Sequence, residues 1–76
     1  MGEAGDGMTD AEVIGRNIRA HMDGRTQVWV ADRINVHKSL VGRYCRGESE
    51  PSAGNLKRIA LALRCSCDEL LEGVGE

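Results

Sequence analysis

Apolar residues along this chain recur at helical spacing, and the polar residues between them supply caps at regular places. Ile14, Ile18 and Met22 fall every four residues, so they share one face of a helix, with Arg16 and Arg19 on other faces. Ahead of them, Thr9-Asp10-Ala11-Glu12 reads as a capping box: the Thr9 hydroxyl accepts from the Glu12 amide and the Glu12 carboxylate accepts from the Thr9 amide. Asp23-Gly24 stops that helix. Thr26 caps a second, two-turn helix whose stripe is Val30, Ala31 and Ile34. Asn35 ends it, because a short polar side chain tolerates positive φ. One residue, Val36, then separates it from a third helix running from His37 to Arg46, closed by Gly47 with Arg46 at the negative end of the helix dipole.

The stretch Glu48 to Pro51 is a polar linker, and Pro51 biases Glu50 away from helix. Ser52 caps a fourth helix through Leu63, with Leu56, Ile59, Ala60 and Leu63 as its core face. Ser66 caps a last short helix carrying Asp68 and Glu69 in its first turn and Leu70 and Leu71 as anchors. Residues 1–8, with three glycines, two acids and no apolar period, are expected to be a disordered leader, and 73–76 a frayed tail. No strand signal or internal repeat interrupts this. The expected fold is all-α: a compact bundle of about five short helices over 9–72, with a helix-turn-helix formed by helices 2 and 3.

Composition narrows the function classes. A chain of 76 residues buries only roughly 60% of its unfolded surface, which leaves no room for separate cofactor and substrate domains. One Tyr, one Trp and no Phe remove the stacking platforms that readers of RNA and single-stranded DNA use. No apolar run reaches the roughly 18 residues of a membrane span and no secretory signal precedes the first helix, so a cytoplasmic protein is expected. The three cysteines, Cys45, Cys65 and Cys67, are too few and odd in number for a disulfide scaffold and suit a reducing compartment. The net charge of −2 hides a division: 9–67 hold all ten basic residues against six acids, whereas the two ends are purely acidic. Within 25–46, Arg25, Arg33, Lys38, Arg43 and Arg46 face only Asp32.

The second and third helices and their Asn-Val turn resemble the helix-turn-helix of the lambda-repressor and Cro-like family, also called XRE-type. The matching positions are Thr26-Gln27, Val30-Ala31, Ile34-Asn35-Val36, Ser39, Val41, Arg43-Tyr44, Arg46-Gly47, Pro51, Leu56, Ile59-Ala60, Ala62-Leu63 and Asp68-Glu69-Leu70-Leu71, in register across 9–72. The resemblance implies a DNA-binding domain whose third helix enters the major groove, a slot roughly 12 Å wide that displays a distinct pattern for each base pair. It places Lys38, Ser39, Gly42 and Arg43 on the exposed base-reading face, with Lys38 or Arg43 as donors to guanine, Ser39 less selective and Gly42 without a side chain. It places Thr26, Gln27, His37, Arg46, Ser49 and Asn55 as phosphate contacts. Departures from the family pattern are Cys45 where Glu is common, Gly42 where a polar reader is common, His21 near a usually apolar position, and a first inter-helix connection about two residues short.

Cys65-x-Cys67 lacks the paired CxxC or nearby His that zinc needs, so the three thiols are expected in or beside the core, with no metal and no cofactor. His21 and His37 have no nucleophile at a recognisable spacing, and no enzyme is expected. Three roles stay open for Trp29: packing between the first two helices, a DNA backbone contact, or a subunit contact. Two functional readings follow. The first is a sequence-specific transcriptional regulator that binds double-stranded DNA, expected to be a phage Cro-like or bacterial repressor, for which operator occupancy is the simplest mechanism. Such a chain is expected to be a monomer or weak homodimer pairing on a palindromic operator, with Leu70, Leu71 and Val74 as the apolar patch available for pairing. The second is a protein-interaction module, such as an antitoxin, anti-repressor or co-regulator, which the acidic ends and Trp29 favour.

Overall fold

The computed structural model describes residues 7–75; the expected leader lies outside them except for Gly7 and Met8, as does Glu76 at the other end. Five helices follow in order among the described residues: α1 Asp10–Met22, α2 Gln27–Ile34, α3 Lys38–Cys45, α4 Ala53–Leu63 and α5 Cys67–Leu70. The all-α expectation holds, and the caps fall where the sequence puts them. Thr9 and Glu12 form their reciprocal box (2.8 and 3.1 Å), as do Ser66 and Glu69 (2.8 and 3.0 Å), while Thr26 and Ser52 each cap one amide. The bonds from Ser66 hold the Glu69 carboxyl below the usual carboxylate range. Asp23 and Asn35 end α1 and α2 in the left-handed conformation (φ 53 and 61), as their polar side chains allow.

The core is one cluster with a contribution from every helix: Ile14, Ile18 and Met22; Val30, Ala31 and Ile34; Val41, Tyr44 and Cys45; Ile59, Ala60 and Leu63; and Leu70. No isolated helix of four to thirteen residues is stable in water, so this shared burial is what holds each of them. Cys65 and Cys67 are half-buried against the cluster. Burial pushes the Cys45 thiol up, against the opposing pull of Arg19 and Arg46, and likewise raises Cys65. Leu70 is fully buried, which corrects its expected place in a self-association patch: the side chain fills the centre of the bundle. Residues 71–75 form a turn in which the Val74 amide donates to the Leu71 carbonyl (2.9 Å) and Val74 rests against the core.

The position of α3 is set from behind by α1. A Cβ on Gly15 would lie 2.4 Å from the Tyr44 carbonyl oxygen and 2.9 Å from that of Cys45, so only glycine permits this crossing. One turn along, the Arg19 guanidinium donates to the Cys45 carbonyl, a group that the end of α3 leaves without a helical partner. Gly47, at φ 75, sits against Glu12 in the same way. At the far side, Asn17 Nδ2 donates to the carbonyls of Leu70 (2.9 Å) and Glu72 (2.8 Å) and ties α5 to α1.

Gly15→Ala should therefore lower the thermal midpoint by about 10 °C or more, because about 3 kcal/mol of overpacking exceeds the roughly 1 kcal/mol that alanine returns in helix propensity. Asn17→Ala should cost less, about 1 kcal/mol. Thermal unfolding followed by circular dichroism checks both, and a midpoint unchanged in Gly15→Ala would contradict the close crossing.

Candidate nucleic-acid interface

The eight residues of α3 divide cleanly. Val41, Tyr44 and Cys45 face the core, while Lys38, Ser39 and Arg43 are exposed. Ser39, Arg43 and Arg46 follow one another at i, i+4 and i+7, and Lys38 lies beside them, so the outward ridge is mainly cationic. The helix starts on a cap that the sequence pattern does not announce: His37 Nδ1 accepts the Ser39 amide (3.1 Å) and lies 2.9 Å from the Ser39 hydroxyl. Accepting at Nδ1 leaves the ring proton on Nε2, which fixes the tautomer presented outward.

Gly42 corrects one expectation. It is buried, not exposed: a Cβ there would lie 3.1 Å from Gln27 Oε1 and 3.1 Å from Arg46 Nη1, so these two side chains cover the bare backbone. The glycine brings a residue from the start of α2 and one from the end of α3 together over the middle of the outward ridge. Arg46 is oriented by Glu48, with Nε to Oε2 at 2.9 Å and Nη2 to Oε1 at 3.3 Å. Both groups are exposed; their hydrogen bond holds the Glu48 carboxyl below the usual carboxylate range and raises Arg46. Sequence reasoning did not find this pair, and its signal is two opposite charges flanking a left-handed glycine, Gly47.

At the start of α2 the Thr26 hydroxyl accepts the Trp29 amide (3.0 Å), and Gln27, the first residue of the helix, reaches Gly42 with its side chain. Ser49 is half-buried in the linker. Asn55 is also half-buried and is engaged at both ends: Nδ2 donates to the Tyr44 hydroxyl (3.0 Å) and Oδ1 accepts from Arg58 (3.1 Å). It reaches α3 through that helix's buried tyrosine and locks α4 to it. Trp29 is half-buried against the core, with the guanidinium carbons of Arg25 and Arg33 4.3 and 4.5 Å from its ring centroid. The sequence reading counted Arg25 and Arg33 among the basic residues but did not place them on Trp29, although each lies four residues from it. No helix among the described residues is long and apolar enough to cross a membrane.

Known proteins share this arrangement. A helix-turn-helix family model matches residues 16–70. The chain is 38% identical over 63 residues, 80% of its length and 91% of the relative's, to the uncharacterized HTH-type transcriptional regulator YazB of Bacillus subtilis (strain 168). Among solved structures it is similar to the restriction-modification controller protein C.AhdI from Aeromonas hydrophila, with TM-score 0.76 and 28% identity over 80% of this chain and 96% of that one. It is also similar to the P22 c2 repressor in complex with a synthetic operator, with TM-score 0.73 and 32% identity over 79% of this chain and 94% of that one. With the turn, the outward helix and the following two helices all in register, the chain belongs to the lambda-repressor and Cro-like (XRE-type) helix-turn-helix family.

Proposed function

We propose that this chain is a sequence-specific regulator of transcription that binds double-stranded DNA and represses by occupying an operator. The observation that carries this reading is the outward ridge of α3, where Lys38, Ser39 and Arg43 are exposed on a helix whose other side is locked into the core. A helix held in that way fits the major groove, where Lys38 and Arg43 serve as donors to guanine O6 and N7. The P22 c2 repressor, of the same fold, was solved on an operator.

The phosphate contacts belong to the rim. Thr26 and Gln27 present the amide end of α2, His37 presents Nε2, and Arg46 reaches the backbone from the end of α3, with Ser49 and Asn55 beyond it. Gly42 contributes space rather than a base contact: Gln27 and Arg46 lie over it, so the middle of the ridge carries phosphate-binding side chains and the reading falls to its flanks. Glu48 competes with phosphate for Arg46 and so keeps sequence-independent affinity low. The protein acts in the cytoplasm and needs no cofactor. It is a monomer or weak homodimer that pairs on a palindromic site, where two copies related by a dyad reach successive major grooves about 34 Å apart.

Binding sites selected from random DNA supply the test. On the selected site, Lys38→Ala and Arg43→Ala should each weaken binding by roughly 10- to 100-fold and relax preference at one base position. Arg46→Ala should instead weaken binding to all sequences and lower the slope of log affinity against log salt by about 1. Glu48→Gln should tighten binding to unrelated duplex DNA, since Arg46 loses its competing carboxylate. Gel shifts across a salt series read all four, and full binding by Lys38→Ala/Arg43→Ala would show that α3 is not the reading helix.

A further inference from the structure

We infer that the face formed by α2 and α4, away from the outward ridge of α3, is a docking surface for an acidic segment of a partner protein that carries an apolar side chain. Its geometry follows from the turn of α2. Successive residues rotate by about 100°, so Arg33, six positions on, points away from Gln27; Gln27 lies over Gly42 of α3, whereas Arg33, with Trp29 under its guanidinium, stands beside α4. There a cleft of 280 Å³ opens, lined by Arg33, Arg58, Leu61 and Ala62.

Two features of this cleft ask for a ligand. Leu61 is 69% exposed, the most exposed large apolar residue among those described, and it shares the lining of the cleft with Arg33 and Arg58. The two cations that line it, Arg33 and Arg58, pair with no carboxylate among the described residues: Arg33 lies against the Trp29 ring, as Arg25 does outside the cleft, and Arg58 donates to Asn55. The acid of α2, Asp32, turns about 100° away from Arg33. Guanidiniums already ordered on an aromatic ring lose little side-chain freedom on binding, so a carboxylate meets them at a low entropic cost.

The mixture of charge and apolar surface selects the occupant. A phosphate backbone would satisfy the guanidiniums and leave Leu61 in water. A second copy seated on this face by a two-fold axis would bring its cationic patch against the same cationic patch, which like charge disfavours. An acidic segment with one apolar side chain satisfies both parts at once.

A random-sequence peptide library selected on the full chain, with the Arg33→Gln/Leu61→Ser variant as counter-target, tests this. Trp29 is the single tryptophan and its fluorescence reports binding at the cleft. The expected result is enrichment of peptides that combine Asp or Glu with an apolar residue, saturable quenching or enhancement of Trp29, and about tenfold weaker binding by the variant. The variant should keep its affinity for the selected DNA site within about threefold, since neither residue belongs to the reading ridge. The inference is overturned by no enrichment, by equal binding of the enriched peptides to the variant, or by polyglutamate binding as well as they do. It is also overturned if the variant loses DNA binding in parallel, which would give the face to DNA, or if Leu61→Ser abolishes a concentration-dependent self-association, which would give it to a second copy.

Discussion

Between Gly15 and the carbonyl oxygens of Tyr44 and Cys45 there is no space for even a methyl group, and the placement of the outward helix depends on that approach. An eight-residue helix cannot hold itself in water, so α3 keeps its orientation only through what backs it. Gly15 lets α1 come close enough for Arg19 to reach the Cys45 carbonyl, which satisfies an orphan acceptor and places a cation at the negative end of the α3 dipole. Asn55 acts from α4 on the Tyr44 hydroxyl. The end of α3 is thus fixed by α1 and α4 together, and the outward side chains stand on a platform that cannot rotate without breaking these contacts.

The same economy of parts governs the charges. Eight of the ten basic residues fall between Arg25 and Arg64, on or beside α2, α3 and α4, while Asp68, Glu69 and Glu72 lie around α5, so a net charge of −2 coexists with a cationic face. Glu48 adds a local correction, because its carboxylate occupies Arg46 in the absence of any other anion. Long-range attraction to DNA is modest in such a molecule, and discrimination rests more heavily on the short-range contacts that the α3 platform offers.

The helices, their order and most of the core were legible because each depends on local signals: apolar stripes such as Ile14, Ile18 and Met22, and caps such as Thr9 with Glu12. The features that were not legible depend on pairs of residues brought together by packing. Gly42 looks exposed on a helical wheel and is covered only because Gln27, fifteen positions earlier, arrives over it. His37 looks like a phosphate contact and also caps α3 through Nδ1, a role outside the usual set of Ser, Thr, Asp and Asn. Leu70 reads both as an anchor of its short helix and as part of a pairing patch, and only the packing decides: Asn17 holds that helix onto α1 and the leucine is seated in the core. The cation pair on Trp29 was half legible: the spacing of Arg33 is in the sequence, but a tryptophan among charges reads equally as packing or as an interface.

These two kinds of information meet on α2, which lies between α3 and α4 and is too narrow to bury more than one stripe. Val30, Ala31 and Ile34 use that stripe for the core, and what remains divides into two flanks. The flank with Gln27 joins the α3 ridge over Gly42, so a change there alters the middle of that ridge. The flank with Arg33 joins α4, and Arg33 is ordered there by the ring of Trp29, itself half-buried against the core. Because the flanks share no side chain and touch different helices, substitutions on one leave the other nearly independent, which is the condition for a single short helix to serve DNA and a protein at the same time.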